Sequence, residues 1–195
     1  PDIMPGFNLL KEACPDMQRL LTVNNEDAPT PYFYDTINLW VPIFDKYNHK
    51  RSVARQKLGE KVWWYVCTGP KAPYPNNFID NPAINHRVRS WMIDKFQVDG
   101  SLYWRVTYWN QNPWKQAMSV NDRGGNWGNG DGRLLYPPQR DKPKAALVAP
   151  PVTSIRFENL RDGLEDVEYL VKLRHSKKAS AKKVLASTED VLVKA

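Results

Sequence analysis

"GEKVWWYVCTGPKAPYPNNFIDNP" runs from Gly59 to Pro82, and "AINHRVRSWMIDKFQ" follows it. The β-branched and aromatic residues of "KVWWYVC" read as a strand. It halts at Gly69-Pro70, and a stiff polar loop carries Pro73, Pro75, Asn76, Asn77 and Asp80. The next stretch reads as a helix with Ile84, Val88, Trp91, Met92 and Phe96 on one face. Asn81 is placed to cap it, with Pro82 in the first helical position. Adjacent Trp63 and Trp64 must point to opposite faces of their strand, so at least one of them packs against a helix.

The same alternation extends in both directions. Upstream, "GFNLLKEACPDM" reads as a helix, Arg19–Val23 and Thr36–Ile43 as strands, and Pro42 to Gly59 as a helix closed by Gly59. Downstream, the Asp99-Gly100 turn opens a fourth strand, "SLYWRVTYW". Strands alternating with helices predict a parallel sheet with helices outside it, hence an α/β fold. A closed eight-stranded barrel needs about 250 residues. Four strands in 195 residues therefore fit either a small open sheet or the second half of a barrel.

From Asn110 to Val152 lies a long Gly/Asn/Pro-rich stretch. Trp114, Trp127, Leu134, Leu135 and Tyr136 supply apolar surface to order it. Then "TSIRFENLRDGLEDVEYLVKLR" predicts a helix capped by Thr153 or Ser154, with Phe157, Leu160, Leu164, Val167 and Val171 as its apolar stripe. A shorter amphipathic segment, Ala181 to Val193, follows.

Charge and cysteine content exclude several functions. The net charge is +7, but Lys172 to Ala195 alone carries seven basic and two acidic residues. The rest is nearly balanced, so the basic character is a solvated tail, and no nucleic-acid partner is expected. No apolar run approaches the roughly 20 residues of a membrane span. Cys14 and Cys67 are too few for a disulfide scaffold or a zinc site, and His49, His86 and His175 stand apart. No metal or other cofactor is expected. There is no initiator Met, and Pro1 suggests a processed chain or a piece of a longer one.

The aromatic residues point to a ligand. Twenty-three residues are Phe, Tyr or Trp, and many fall in strands or just past their C-terminal ends, where α/β proteins bind ligands. Indole faces stack on the C–H faces of sugar rings, while the hydroxyls need amides and carboxylates. Asn76, Asn77, Asp80, Asn110, Asn112, Asn126, Asn129 and Asp131 supply those groups nearby. Paired carboxylates are what glycoside hydrolysis requires, and Glu26-Asp27 is the adjacent pair present. "GNGDG", Gly128 to Gly132, lacks the ligand spacing and final Glu of a calcium loop and reads as a turn.

Four motifs in combination resemble one family: W-x-Y-x-C before a Pro-rich loop, D-G-x-L-Y-W, G-D-G-x-L-x-Y-P, and S-I-R-x-E-x-L-R-D-G-x-E-D-x-E-Y-L. Together they are similar to the C-terminal part of the catalytic domain of family 123 glycoside hydrolases, over about Pro5 to Leu173. The resemblance implies the C-terminal half of a TIM (β/α)8 barrel in residues 1–152. Residues 153–175 would be the final barrel-packing helix and 176–195 a basic helical tail. It implies a retaining β-N-acetylgalactosaminidase chemistry, in which the sugar's acetamido oxygen attacks the anomeric carbon. An Asp would orient that acetamide and an adjacent Glu would act as acid, then base.

The family's Asp-Glu pair precedes all four of these motifs. Glu26-Asp27 has the reverse order in a later loop and does not inherit the role, so no catalytic residue is assigned and this chain alone is expected to be inactive. Tyr65, Asn77, Trp104, Trp109, Asn110 and Asp131 are the expected sugar contacts. The implied partners are a glycan ending in N-acetylhexosamine and an N-terminal half-barrel, in an extracellular or cell-surface setting. The alternative is a non-catalytic glycosidase-like module that binds glycans or builds a surface assembly.

Overall fold

A computed structural model describes residues 3–24, 28–138 and 149–194. In chain order the elements are α1 (Met4–Ala13), β1 (Leu20–Val23), β2 (Leu39–Pro42), α2 (His49–Gln56), β3 (Lys61–Val66), α3 (Ala83–Phe96) and β4 (Gly100–Tyr103). They continue as β5 (Met118–Val120), β6 (Asn126–Asn129), β7 (Leu135–Tyr136), β8 (Val152–Thr153), α4 (Ile155–His175) and α5 (Ala179–Lys194). The chain divides into two compact units, Pro1–Val66 with Phe96–Leu102, and Cys67–Lys95 with Tyr103–Ala195.

The first unit carries a four-stranded sheet in the order β1-β2-β3-β4. β1 and β2 run parallel with Leu20 opposite Leu39, and β2 and β3 run parallel with Leu39 opposite Lys61. The α/β class and the parallel pairing agree with the sequence. Among the described residues the sheet is open, not a closed barrel. β2 is buried throughout, as a strand covered on both faces should be. β3 instead alternates: Val62, Trp64 and Val66 are buried, while Trp63 and Tyr65 are half-buried.

The two tryptophans of β3 thus have separate tasks. Trp64 packs edge-on against Phe44, Tyr47 and Phe96, with ring centroids 4.8 to 6.1 Å apart. Trp63 lies on Gly100, where a Cβ would stand 2.8 Å from the indole. Asp99 sets the start of β4: its carboxylate accepts the Val62 N–H and the Gln56 amide, and pairs with Lys61.

Three expected boundaries move. The Pro42-to-Gly59 helix is only α2, capped by Asn48, whose side chain accepts the Arg51 N–H. A 3-10 turn at Phe44–Lys46 precedes it. Asn48 can bond the backbone locally and so starts a helix where periodicity alone would run through it. The fourth strand ends at Tyr103 rather than Trp109; among the described residues only Thr107 bridges further, to Arg133. The Asn110–Val152 stretch includes the antiparallel pair β5/β6, and β7 pairs with β8. Glu26-Asp27 lies outside the described residues.

In the second unit Ser154 caps α4 as expected, its hydroxyl accepting the Phe157 N–H. The buried faces of the helices match the expected stripes only in part. α3 buries His86, Val88, Arg89, Ser90 and Asp94, while Ile84 is exposed. α4 buries Arg156, Gly163 and Leu170 at a spacing of seven, while Leu164 and Val171 are exposed. Asn81 Nδ2 donates to the Asn76 carbonyl, tying the start of α3 to the loop after β3.

Polar pairing explains these reversals. Arg87 of α3 grips Asp166 of α4 with both Nε and Nη2, and Trp91 Nε1 donates to the same carboxylate at 2.8 Å. Arg174 forks onto Asp94. Gly163 lets the helices touch, because a Cβ there would sit 2.7 Å from the Arg87 carbonyl and 2.9 Å from Ser90 Oγ. α5 folds back on α4, with Ala181 and Leu170 both buried. Among the described residues no helix is long and apolar enough to cross a membrane, and Cys14 and Cys67 are free thiols. Gly163→Ala is predicted to lower the unfolding free energy by about 1–3 kcal/mol, as overpacking does. Urea denaturation checks this, and an unchanged midpoint would refute the close crossing.

Candidate functional site

The loop after β3 is built by Asn76. Its amide donates to the carbonyls of Cys67 and Pro70, and its Oδ1 accepts the Asn77 N–H at 2.6 Å. These bonds hold Asn77 fully buried, with neither its Oδ1 nor its Nδ2 hydrogen-bonded.

The Gly128–Gly132 turn brings Asp131 to the same unit. Gly130 and Gly132 have φ of +73° and +69°, the left-handed region that glycine enters without strain. They are also sterically required: a Cβ on Gly132 would meet the Trp104 ring at 2.7 Å, and one on Gly130 the Arg156 guanidinium at 2.7 Å. Asp131 is fully buried. Its Oδ1 accepts from the Tyr103 hydroxyl at 3.0 Å and from Trp104 Nε1 at 3.2 Å, whereas Oδ2 has no partner. Tyr103 is held in turn by the Gly132 N–H, which donates to its oxygen at 2.7 Å.

Two buried arginines, Arg133 and Arg156, hold this carboxylate's turn, and a third, Arg89, interacts electrostatically with Tyr103. Arg156 donates to the carbonyls of Asn77, Gly130 and Arg133 and to the Tyr136 hydroxyl. Arg133 donates to the carbonyls of Tyr108 and Gln116 and to Asn110 Oδ1. Arg89, on α3, is 4% exposed and its Nη1 is unbonded; burial pushes its pKa down to about 10. Burial likewise pushes the Asp131 carboxyl and the Tyr103 hydroxyl up. Trp104, Tyr108 and Trp127 close the cluster, their ring centroids 5.1 to 5.3 Å apart.

Of the six residues expected to touch a sugar, the structure joins Trp104 and Asp131 directly. Asn77 is tied to them through Arg156, whose Nη1 bonds both the Asn77 and Gly130 carbonyls. Trp109 and Asn110 are exposed and lie beyond Arg133: Trp109 Nε1 donates to the Leu135 carbonyl, and Asn110 bonds Tyr108, Val120 and Arg133. Tyr65 stands half-buried on β3 in the first unit. Sequence reading missed Arg89, Arg133 and Arg156, and counted Tyr103 only among the aromatics in strands or at their ends. Arg133 and Arg156 stand inside the G-D-G-x and S-I-R motifs, and that position was the available signal. Among the described residues no group of three His, Cys, Asp or Glu side chains could hold a metal.

The chain's sequence matches the glycoside hydrolase 123 catalytic domain over residues 6–173. It belongs to glycoside hydrolase family 123. No curated protein matches it. Among solved structures it is similar to a family 123 glycoside hydrolase from Clostridium perfringens, whose structural analysis concerned glycolipid glycan hydrolysis. The likeness has a TM-score of 0.68 at 21% identity and covers 88% of this chain, so it speaks to the fold. This family 123 chain spans 29% of the length of that relative.

The raised Asp131 carboxyl has a measurable consequence. Its folded pKa lies above the ordinary 3.8, so the folded state holds the proton more tightly than the unfolded chain. That stabilisation is complete below the ordinary value and is lost as pH rises through the folded value. The stability of the protein relative to Asp131→Asn is therefore predicted to fall as the pH rises from about 4 to 7. Urea midpoints across that range test it; a flat or rising difference would contradict a desolvated carboxyl.

Proposed function

We propose that this chain forms the sugar-binding part of a retaining, substrate-assisted β-N-acetylgalactosaminidase-like hydrolase. Its strands and helices would be the second half of a (β/α)8 barrel. Residues 1–152 supply the half-barrel, 153–175 its last packing helix, and 176–195 a basic tail. The other half, with the adjacent Asp-Glu pair, belongs to polypeptide upstream. The observation that carries this reading is Asp131, a fully buried carboxyl with one unbonded oxygen beside Trp104 in a family 123 domain. A buried polar atom of that kind is costly unless it meets a partner, and a sugar hydroxyl or amide is a suitable one.

In the proposed reaction the acetamido oxygen of the bound N-acetylhexosamine attacks the anomeric carbon as the glycosidic bond breaks. The upstream Glu gives its proton to the departing oxygen and then takes one from the attacking water. This replaces the enzyme nucleophile of ordinary retaining enzymes. The chain's own contribution is binding: Tyr65, Asn77, Trp104, Trp109, Asn110 and Asp131 are the proposed sugar contacts. Tyr103 and Arg156 are positioning residues, because they hold Asp131 and its turn.

The test is hydrolysis of a chromogenic β-N-acetylgalactosaminide by the full-length protein. Turnover with retained anomeric configuration is the expected result, and its absence refutes the assignment. Trp109→Ala is predicted to raise KM about tenfold with little change in kcat, the effect of losing one aromatic contact. An unchanged KM removes Trp109 from the sugar site.

A further inference from the structure

The second unit contains a cavity of about 420 Å³ that none of the six proposed sugar contacts lines. Such a volume is typical of small-molecule sites. Its walls include the opening residues of α3, through Ala83 and His86, and of α4, through its cap Ser154, then Ile155, Arg156 and Asn159. The early amides of a helix have no intrahelical carbonyl to bond and carry the positive end of the helix dipole. Two such ends open on one space.

Side chains add to this field. Arg156 lines the cavity, is 3% exposed, and bonds only carbonyls and the Tyr136 hydroxyl, so no carboxylate balances it there. No lining residue is acidic. His86 also lines the cavity and is 2% exposed. Its Nε2 faces the Phe78 carbonyl at 3.3 Å, and its Nδ1 makes no hydrogen bond. Burial pushes this imidazole down, partly opposed by the Phe78 and Ala83 carbonyls. On a third side Trp114 and Tyr136 meet at a centroid distance of 4.9 Å and present aromatic surface.

We propose that this cavity is a second sugar subsite, selective for a ring that bears an anionic group, a carboxylate or a sulfate ester. Ser154 already takes the Phe157 and Glu158 amides of α4, and the Pro82 carbonyl takes the Asn85 amide of α3, so the anion meets the leading amides, those of Ala83, Ile84, Ile155 and Arg156, and the field of the Arg156 side chain. The ring lies against Trp114 and Tyr136, and a hydroxyl turns toward His86. This deepens the glycan-hydrolase reading and rests on it: the enzyme would favour acidic glycans, with the charged residue bound beside Arg156, which also holds the Asp131 turn.

Binding of methyl β-glucuronide, glucose 6-sulfate and methyl β-glucoside to the full-length protein tests the proposal by calorimetry. The glucuronide or the sulfated sugar is expected to bind at least about tenfold more tightly than the glucoside, the increment of one charge-assisted hydrogen bond. Which of the two binds better tells carboxylate from sulfate. Asn159→Asp places a like charge on the cavity wall and is expected to weaken acidic-sugar binding about tenfold or more. Asn159→Gln should leave it unchanged. Equal binding of the neutral glucoside, no effect of Asn159→Asp, or acetate binding as tightly as the glucuronide would each overturn the subsite. Failure of the chromogenic hydrolysis with acidic-sugar binding intact would instead count against the hydrolase reading alone.

Discussion

The second unit depends on one guanidinium. Arg156 opens α4 and reaches three carbonyls from two different loops, those of Asn77, Gly130 and Arg133. Burying a cation is expensive unless its donors are satisfied, and carbonyl oxygens satisfy them without introducing an opposing charge. The result fixes the loop after β3, the Gly128–Gly132 turn and the start of α4 against one another. Asp131 then has one geometry available, with Tyr103 and Trp104 on one oxygen and nothing on the other.

The excess of buried positive charge follows from this construction. Arg89, Arg133 and Arg156 lie in the same unit as Asp131, and the shifts of Arg89 and Asp131 both reflect loss of solvent. Structural pairs elsewhere in the unit are balanced: Arg87 with Asp166, and Arg174 with Asp94. The contrast separates charges that hold helices together from charges that shape a site. Perturbed groups gather where chemistry or binding is done, and the unpaired ones here support the proposed sugar site.

The glycines carry the same division. Gly163 permits a helix crossing, whereas Gly130 and Gly132 permit a turn whose side chains would otherwise strike Arg156 and Trp104. Gly100 does for β3 what they do for the site, giving Trp63 a flat surface to lie on while Trp64 enters the aromatic cluster. Family membership fits this picture, since the matched region from residue 6 to 173 contains each of these glycines.

Much of this could be read from the chain alone. The strand at Lys61–Val66, the Asp99-Gly100 turn, the Ser154 cap and the family follow from local rules: alternation, turn chemistry, capping and short motifs. Asn77, Trp104 and Asp131 stood out in the sequence as residue types near strand ends, and the structure links them through Arg156 and the Trp104–Asp131 bond. The helix faces were legible only in part. Periodicity assigns the apolar stripe to the core, yet Leu164 and Ile84 are exposed while Arg89, Asp94 and Arg156 are buried. Charges go inside when partners distant in sequence satisfy them, as Arg174 does for Asp94 across 80 residues. That pairing exists only after the chain has folded, so the tertiary structure alone decided which polar groups were satisfied and which, like Asp131 Oδ2, were left open.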